Sequence, residues 1–129
     1  MSKVKTNRCL LTISSLAVIV ILIQIMLGAV TRLTGSGLSC PDWPLCYGLW
    51  FPFPSALSAL PSLDYTYGQV FLEWAHRANA AIILAPVICR MGFLSWRYRT
   101  QEPMYWRFGL AAIFLLVLQS AVGGFTVFD

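Results

Sequence analysis

Three long apolar stretches alternate with polar, turn-rich segments along this chain of 129 residues. The stretches cover residues 10–30, 70–88 and 108–127. Each is close to the length of about 20 residues that a helix needs to cross the hydrocarbon core of a bilayer. The pattern therefore predicts an all-α, polytopic membrane protein with three spans, forming one membrane domain over residues 1–129.

Composition agrees with this interpretation, since 58% of the residues are hydrophobic and only 11% are charged. Soluble domains carry about a quarter charged residues. The first span is too long for the apolar core of a cleavable signal peptide, so we interpret it as a true span. The segment before it does not resemble an organelle transit peptide, which favours a bacterial plasma membrane.

The net charge of +4 reports topology rather than nucleic-acid binding, because the basic residues flank the spans. The loop over residues 31–69 has Arg32 as its one basic residue. By the positive-inside rule, the N-terminus and the loop over residues 89–107 lie in the cytoplasm and the 31–69 loop lies outside. The basic residues on the predicted inner side are Lys3, Lys5, Arg8, Arg90, Arg97, Arg99 and Arg107.

The outer loop is too rich in proline for a long helix or a regular strand, and too rich in aromatic residues for a solvated linker. We expect a lid with its rings at the membrane surface, and a short helical turn near residues 55–60. Arg32, at the entry to this loop, is either a headgroup anchor or a partner for a carboxylate such as a heme propionate. The prolines are Pro41, Pro44, Pro52, Pro54 and Pro61.

Cys40 and Cys46 lie in this loop in the sequence Cys-Pro-Asp-Trp-Pro-Leu-Cys. On the oxidising side of a membrane, such a pair is well placed to form a structural disulfide. A redox-active pair and two free thiols are the alternatives. A zinc site lacks further ligands nearby.

The strongest candidate for chemistry is Glu-Trp-Ala-His-Arg at the start of the second span. It contains His76, the one histidine of the chain, with Glu73 and Arg77 on either side. Residues three and four apart on a helix share one face, so we expect these three side chains to project into the same space. Ionisable groups in a membrane helix usually face a cavity or the interior of a bundle, which favours a functional site. The alternative is a cluster that only marks the interface.

An internal similarity links the first and third spans. Gln24, Gly28 and Thr31 recur at a constant offset as Gln119, Gly123 and Thr126. A glutamine within the membrane needs a partner, and a nearby glycine lets another helix approach closely. If the two spans are repeats, a partner for the second span would follow the third, and the chain ends before such a helix.

Taken together, these motifs resemble the heme A synthase family. The matching segments are residues 28–39 (Gly-Ala-Val-Thr-Arg-Leu-Thr-Gly-Ser-Gly-Leu-Ser), the 40–46 loop, residues 73–77 and residues 119–127. They are in the family's order and cover nearly the whole chain, which makes the match far more specific than one short motif.

The resemblance implies the first three helices of an eight-helix enzyme with two four-helix halves, each able to hold a heme between histidines. The implied reaction is oxidation of a methyl group of heme O to the formyl group of heme A, for cytochrome oxidase assembly. Glu73 would be the acidic, catalytic residue of this half, and His76 an axial ligand of heme iron. Arg77 and Arg32 would contact the cofactor, and Cys40 with Cys46 would be the outer-loop cysteine pair found in part of the family. The implied cofactors are heme b and heme O or heme A.

The other heme ligands of the family lie beyond this length, so we expect the chain to be an N-terminal part that is inactive alone. Its expected partners are the heme O substrate, the lipid bilayer, heme O synthase and other assembly factors. A second copy or a missing C-terminal portion would complete it. The competing hypotheses are a small membrane heme protein in which two chains each donate His76, a thiol oxidoreductase using Cys40 and Cys46, and an assembly factor without a cofactor.

Overall fold

A computed structural model describes residues 3–60 and 64–125, with side chains from residue 7 onward. Pro61 and the ends of the predicted third span and repeat, including Thr126, lie outside the described residues. Over the described ranges the chain is helical, without an extended strand. The prediction of an all-α protein is confirmed.

Three helices are long and apolar enough to cross a membrane, as predicted. Helix α1 spans Lys3–Leu33. After the loop and the short helix α2 (Pro54–Leu57), a continuous helix covers Tyr67–Arg97. Helix α5 spans Pro103–Phe125.

The second long helix has three parts, namely α3 (Tyr67–Ala78), a π-helical turn (Asn79–Leu84) and α4 (Ala85–Arg97). A capping box begins it, because Thr66 and Gln69 exchange side-chain and backbone hydrogen bonds. Pro86 is the second residue after the π turn. A proline removes one backbone donor and crowds the preceding turn, and a π turn is one way to absorb that irregularity.

The cytoplasmic loop predicted over residues 89–107 is much shorter in the structure. Helix α4 continues to Arg97 and α5 already begins at Pro103. The apolar pattern stops near residue 88, whereas backbone hydrogen bonding continues through Arg90 and Trp96 in the absence of a helix breaker. Pro103 suits the first turn of a helix, where its missing N–H is not needed.

The helices pack around a small apolar core formed by Ala17 and Val20 of α1 with Leu84 and Ile88 of the second long helix. The early part of α5 packs against this core through Ile113 and its neighbours. Beyond Leu116 its residues are mostly exposed.

Close contact between α4 and α5 depends on two glycines. A Cβ on Gly109 would lie 3.0 Å from the Cβ of Ser95, and Gly92 faces the same contact. We expect Gly109→Ala to lower the free energy of unfolding in detergent by about 1–3 kcal/mol, the usual cost of overpacking. Gly123→Ala is the matched control, because a Cβ there would meet no atom of the described residues within 4 Å. A Gly109→Ala chain as stable as this control would contradict the packing.

The loop between α1 and α3 folds onto the end of α3, where it buries Cys40, Cys46, Leu57 and Val70. The Trp74 indole donates a hydrogen bond of 2.7 Å to the Trp50 carbonyl. The rings of Phe51 and Trp74 meet edge-on, with centroids 4.6 Å apart. The loop is therefore a packed lid, as the sequence predicts, and the expected helical turn is α2.

Candidate functional site

The site is built where this lid meets the first turns of α3. Glu73 is 3% exposed although it is ionisable. Its Oε2 accepts hydrogen bonds from the Ser39 hydroxyl at 2.9 Å and from the Cys40 backbone N–H at 2.8 Å. Its Oε1 pairs with the Arg77 guanidinium one helical turn later. A buried carboxylate needs such partners, because an unpaired charge away from water is very costly.

Arg77 binds the backbone of the lid. Its Nη1 donates to the carbonyls of Asp42 and Leu45, and its Nη2 donates to the Cys40 carbonyl at 3.3 Å and to Glu73. All four terminal N–H groups of the guanidinium therefore have partners within the chain. In this arrangement Arg77 holds the lid, and its predicted contact with a cofactor stays a prediction.

Cys40 and Cys46 form a disulfide that closes the loop bound by Arg77. Each is 1% exposed. Because thiol exchange requires attack on a disulfide sulfur, this burial favours a structural bridge over a redox-active one. Inside the ring, the Asp42 carboxylate accepts from the Tyr47 and Gly48 backbone N–H groups at 2.6 and 2.8 Å.

Tyr47 closes the same turn with a positive φ of 55°. Burial, followed by the negative charge of Asp64, raises the pKa of the Tyr47 phenol above its usual value. The phenol is therefore neutral at physiological pH, and the Asp42 carboxylate is the charged group that organises the turn.

His76 points away from the lid and packs against α1. The Gln24 amide nitrogen lies 3.1 Å from Nδ1 and 3.3 Å from Nε2 of the ring, and 3.2 Å from the His76 carbonyl oxygen. A Cβ on Gly28 would lie 3.0 Å from the ring's Cε1, so glycine makes room for the imidazole. Asn79 donates to the Gln24 side-chain oxygen at 2.7 Å.

The structure thus divides the three residues that the sequence placed in one space. Glu73 and Arg77 join the lid, whereas His76 joins α1, and no hydrogen bond links His76 to Glu73 within the described ranges. The helix turns by about 100° per residue, so Arg77 and His76 lie on opposite sides of Glu73 and differ by about 100°. The lid can therefore contact Arg77 while α1 contacts His76.

Arg32 is exposed in the last turn of α1. Over the part of the chain that the structure describes, its guanidinium forms no hydrogen bond or ion pair. Its proposed role toward a cofactor carboxylate stays a prediction.

Sequence reasoning missed Ser39 and Asn79. Ser39 is fully buried, and its hydroxyl also lies 3.1 Å from the Gln69 carbonyl. Ser39 lies next to Cys40 in the segment that returns from α1 to the start of α3, and this position is only a weak signal that it contacts Glu73. Asn79 is a polar residue within an apolar run, one turn from His76, and this is a signal that the sequence contains.

No group of three metal-ligating side chains of the His, Cys, Asp or Glu type occurs in the described ranges.

The fold and site define a helical membrane protein in which a disulfide-closed lid covers a buried Glu–Arg pair beside a single imidazole. Residues 11–128 match the family model COX15-CtaA, described as cytochrome oxidase assembly protein. The chain belongs to this family.

Curated relatives agree with the family. The chain is 35% identical over 112 residues to a heme A synthase of Shewanella oneidensis, covering 82% of this chain and 33% of the relative. It is 29% identical over 117 residues to a heme A synthase of Bacillus pumilus, covering 89% of this chain and 34% of that protein.

A third relative is a protoheme IX farnesyltransferase of Halobacterium salinarum. It is 33% identical over 102 residues, which cover 79% of this chain and 20% of that protein. The chain thus spans about a third of the length of the heme A synthases that it matches. No solved structure matches it significantly.

Proposed function

We propose that this chain forms a heme-binding part of a heme A synthase, with heme O as the substrate and heme A as the product. The observation that carries the proposal is the position of His76. Its imidazole packs against α1, next to the Gln24 side chain and Gly28. A neutral imidazole held in a fixed orientation is the usual axial ligand of heme iron. The family supports the same conclusion.

The residues present fit a heme. A neutral imidazole ligates iron through the ring nitrogen that carries no proton, and its other ring nitrogen donates its N–H to a neighbouring acceptor, which fixes tautomer and orientation. The Gln24 side-chain amide lies within hydrogen-bond distance of the ring nitrogens, and its oxygen is the atom that could accept this N–H. Residues of α1 next to Gln24, namely Ile23, Ile25 and Met26, are apolar and exposed, which suits a porphyrin in a membrane.

The reaction replaces two hydrogen atoms of a methyl group by one oxygen atom. With water as the source of that oxygen, four protons and four electrons are released, and an oxidant from outside this chain accepts the electrons. Bound heme would supply the redox chemistry. Glu73 is proposed to act on protons near the reacting carbon or to stabilise positive charge there. In this structure its carboxylate bonds to Ser39, Cys40 and Arg77, so a movement of the lid would be needed to turn it toward substrate.

Coordination by two histidines requires an imidazole from outside these 129 residues, because His76 is the one histidine of the sequence. We propose that a further portion of the protein or a second copy supplies it, and that the chain alone lacks synthase activity. Association of two chains, each donating His76, is the alternative function as a small heme protein.

We propose a bacterial plasma membrane location with the 31–69 loop on the outer face. The buried disulfide supports this orientation, because disulfides persist on the oxidising side. A heme O synthase is a proposed partner, since the chain resembles one fifth of a protein named protoheme IX farnesyltransferase.

Titration of the detergent-purified chain with heme tests the proposal. We expect saturable binding with a sharp Soret band, and low-spin visible bands after reduction where two imidazoles ligate the iron. A stoichiometry of one heme per two chains would indicate that two copies each donate His76, and one heme per chain with an open coordination site would indicate a missing ligand. Absence of any saturable binding would remove the heme-binding proposal.

A further inference from the structure

The amide of Gln24 is held in one orientation by two contacts besides the imidazole. Its Nε2 lies 3.2 Å from the backbone carbonyl oxygen of His76. A carbonyl can only accept a hydrogen bond, so the Gln24 group in front of it must be the NH₂ group and not the oxygen. On the other side, the Gln24 Oε1 accepts a hydrogen bond of 2.7 Å from Nδ2 of Asn79. Both contacts therefore require the same orientation of Gln24.

This orientation directs a donor toward the ring of His76. The Gln24 Nε2 lies 3.1 Å from Nδ1 and 3.3 Å from Nε2 of the imidazole. A neutral imidazole has one protonated nitrogen and one unprotonated nitrogen, and only the unprotonated one can accept a hydrogen bond. In either tautomer, the lone pair of the ring is therefore within reach of the Gln24 NH₂ group. One N–H of this group serves the His76 carbonyl, and the other serves the ring.

The lone pair that accepts from Gln24 is also the one that would coordinate iron, because a neutral imidazole binds metals through its unprotonated nitrogen. One lone pair cannot serve a hydrogen bond and a metal at once, so Gln24 competes with iron for His76. A ligating imidazole in addition donates its other N–H to an acceptor. As long as Asn79 and the His76 carbonyl hold Gln24, the amide presents N–H groups to the ring instead of its oxygen.

We propose that Asn79 is a positioning residue that locks the Gln24 amide as a hydrogen-bond donor to His76, so that Gln24 caps the lone pair of the imidazole. Asn79 acts through Gln24, because its side-chain hydrogen bond is made to the Gln24 oxygen. Iron enters here through the proposed function, as the ligand that has to displace the cap. The cap itself is a property of the chain before heme is added.

The ring nitrogens of His76 provide the direct test. His76 is the one histidine of the sequence, so ¹⁵N-histidine labelling gives a single pair of ring signals. In solid-state NMR of the full chain in liposomes without heme, we expect the signal of the unprotonated nitrogen to move downfield in Gln24→Leu and in Asn79→Leu, because a hydrogen bond to it is lost or loosened. An unchanged signal in either variant would overturn the proposal.

Thr12→Val is the matched control for these variants. It also replaces a polar side chain on a membrane helix, but the Thr12 hydroxyl donates to the Arg8 carbonyl of its own helix. The ring signals should therefore stay in place. Circular dichroism verifies that each variant is folded, and Asn79→Ala provides the same comparison if the leucine variant does not fold.

Heme titration gives a second readout, in which a cap and a mere support for the ring have opposite effects. We expect Asn79→Leu to bind heme about threefold to tenfold more tightly than the wild type, because one hydrogen bond that holds the cap is lost. Loss of a support would instead weaken binding. Weaker or equal binding in Asn79→Leu would therefore contradict the cap, and Thr12→Val should bind as the wild type does.

A double-mutant cycle shows whether Asn79 acts through Gln24. In the Gln24→Leu background, Asn79→Leu should change the heme affinity by less than about twofold, because the amide that it positions is absent. An effect of Asn79→Leu that persists without Gln24 would overturn the assigned role. If none of the chains binds heme, the proposed function fails, while the ring signals still decide whether His76 is capped.

Discussion

Replacing His76 by glycine will abolish the low-spin heme spectrum of the chain and lower its apparent heme affinity by about 100-fold or more, equivalent to about 3 kcal/mol. The imidazole is the single candidate iron ligand of its type in the sequence. Its ring is already oriented by Gln24, so its removal deletes a prepared ligand. The measurement is a heme titration followed by absorbance in the oxidised and reduced states.

Free imidazole provides the decisive control for this variant. The glycine at position 76 leaves a space beside Gly28 and the Gln24 amide that matches the lost ring. Added imidazole should therefore restore the low-spin bands in His76→Gly. Cys89→Ser, at the other end of the same helix and exposed, should leave the titration unchanged. An unaltered spectrum in His76→Gly would show that iron binds elsewhere.

Replacing Arg77 by alanine will lower the free energy of unfolding by about 3–5 kcal/mol, the range observed when one partner of a buried ion pair is removed. Glu73 would remain buried with its charge uncompensated, and three carbonyls of the lid would lose their donor. The side chains of Arg77 and Glu73 are only 14% and 4% exposed, so water offers little compensation. Reversible denaturation in mixed micelles provides the measurement.

A double-mutant cycle separates the ion pair from the lid contacts of Arg77. Glu73→Gln combined with Arg77→Ala should cost less than the sum of the single changes, because the uncompensated carboxylate is then absent. Arg97→Ala, an exposed arginine at the far end of the helix, should change the free energy of unfolding by less than about 0.5 kcal/mol. If Arg77→Ala matches this control, Arg77 does not hold the lid.

Several features of this protein could be predicted from the sequence because they depend on properties of single segments. The length of an apolar run determines whether a helix can cross a membrane, so the three spans were predictable. Repeated proline and aromatic residues identified a packed lid, and the short helical turn expected near residues 55–60 overlaps α2. Ionisable residues in an apolar segment are rare, so Glu73, His76 and Arg77 stood out as a candidate site.

The helix ends and the π turn were less predictable. Polar residues beyond the apolar run can still form helical hydrogen bonds. Hydropathy alone therefore predicted that the second helix ends at residue 88, whereas it continues to Arg97. The irregularity before Pro86 depends on how the freed carbonyls find partners, and composition does not specify that.

Only the tertiary structure decided which of these side chains contacts the lid and which contacts α1. Glu73 meets Ser39 and Cys40, and His76 meets Gln24, across long separations in sequence. No local pattern specifies such pairs. They arise because the lid and α1 approach different sides of one helix, and each supplies the hydrogen-bonding groups that the buried side chain in front of it requires.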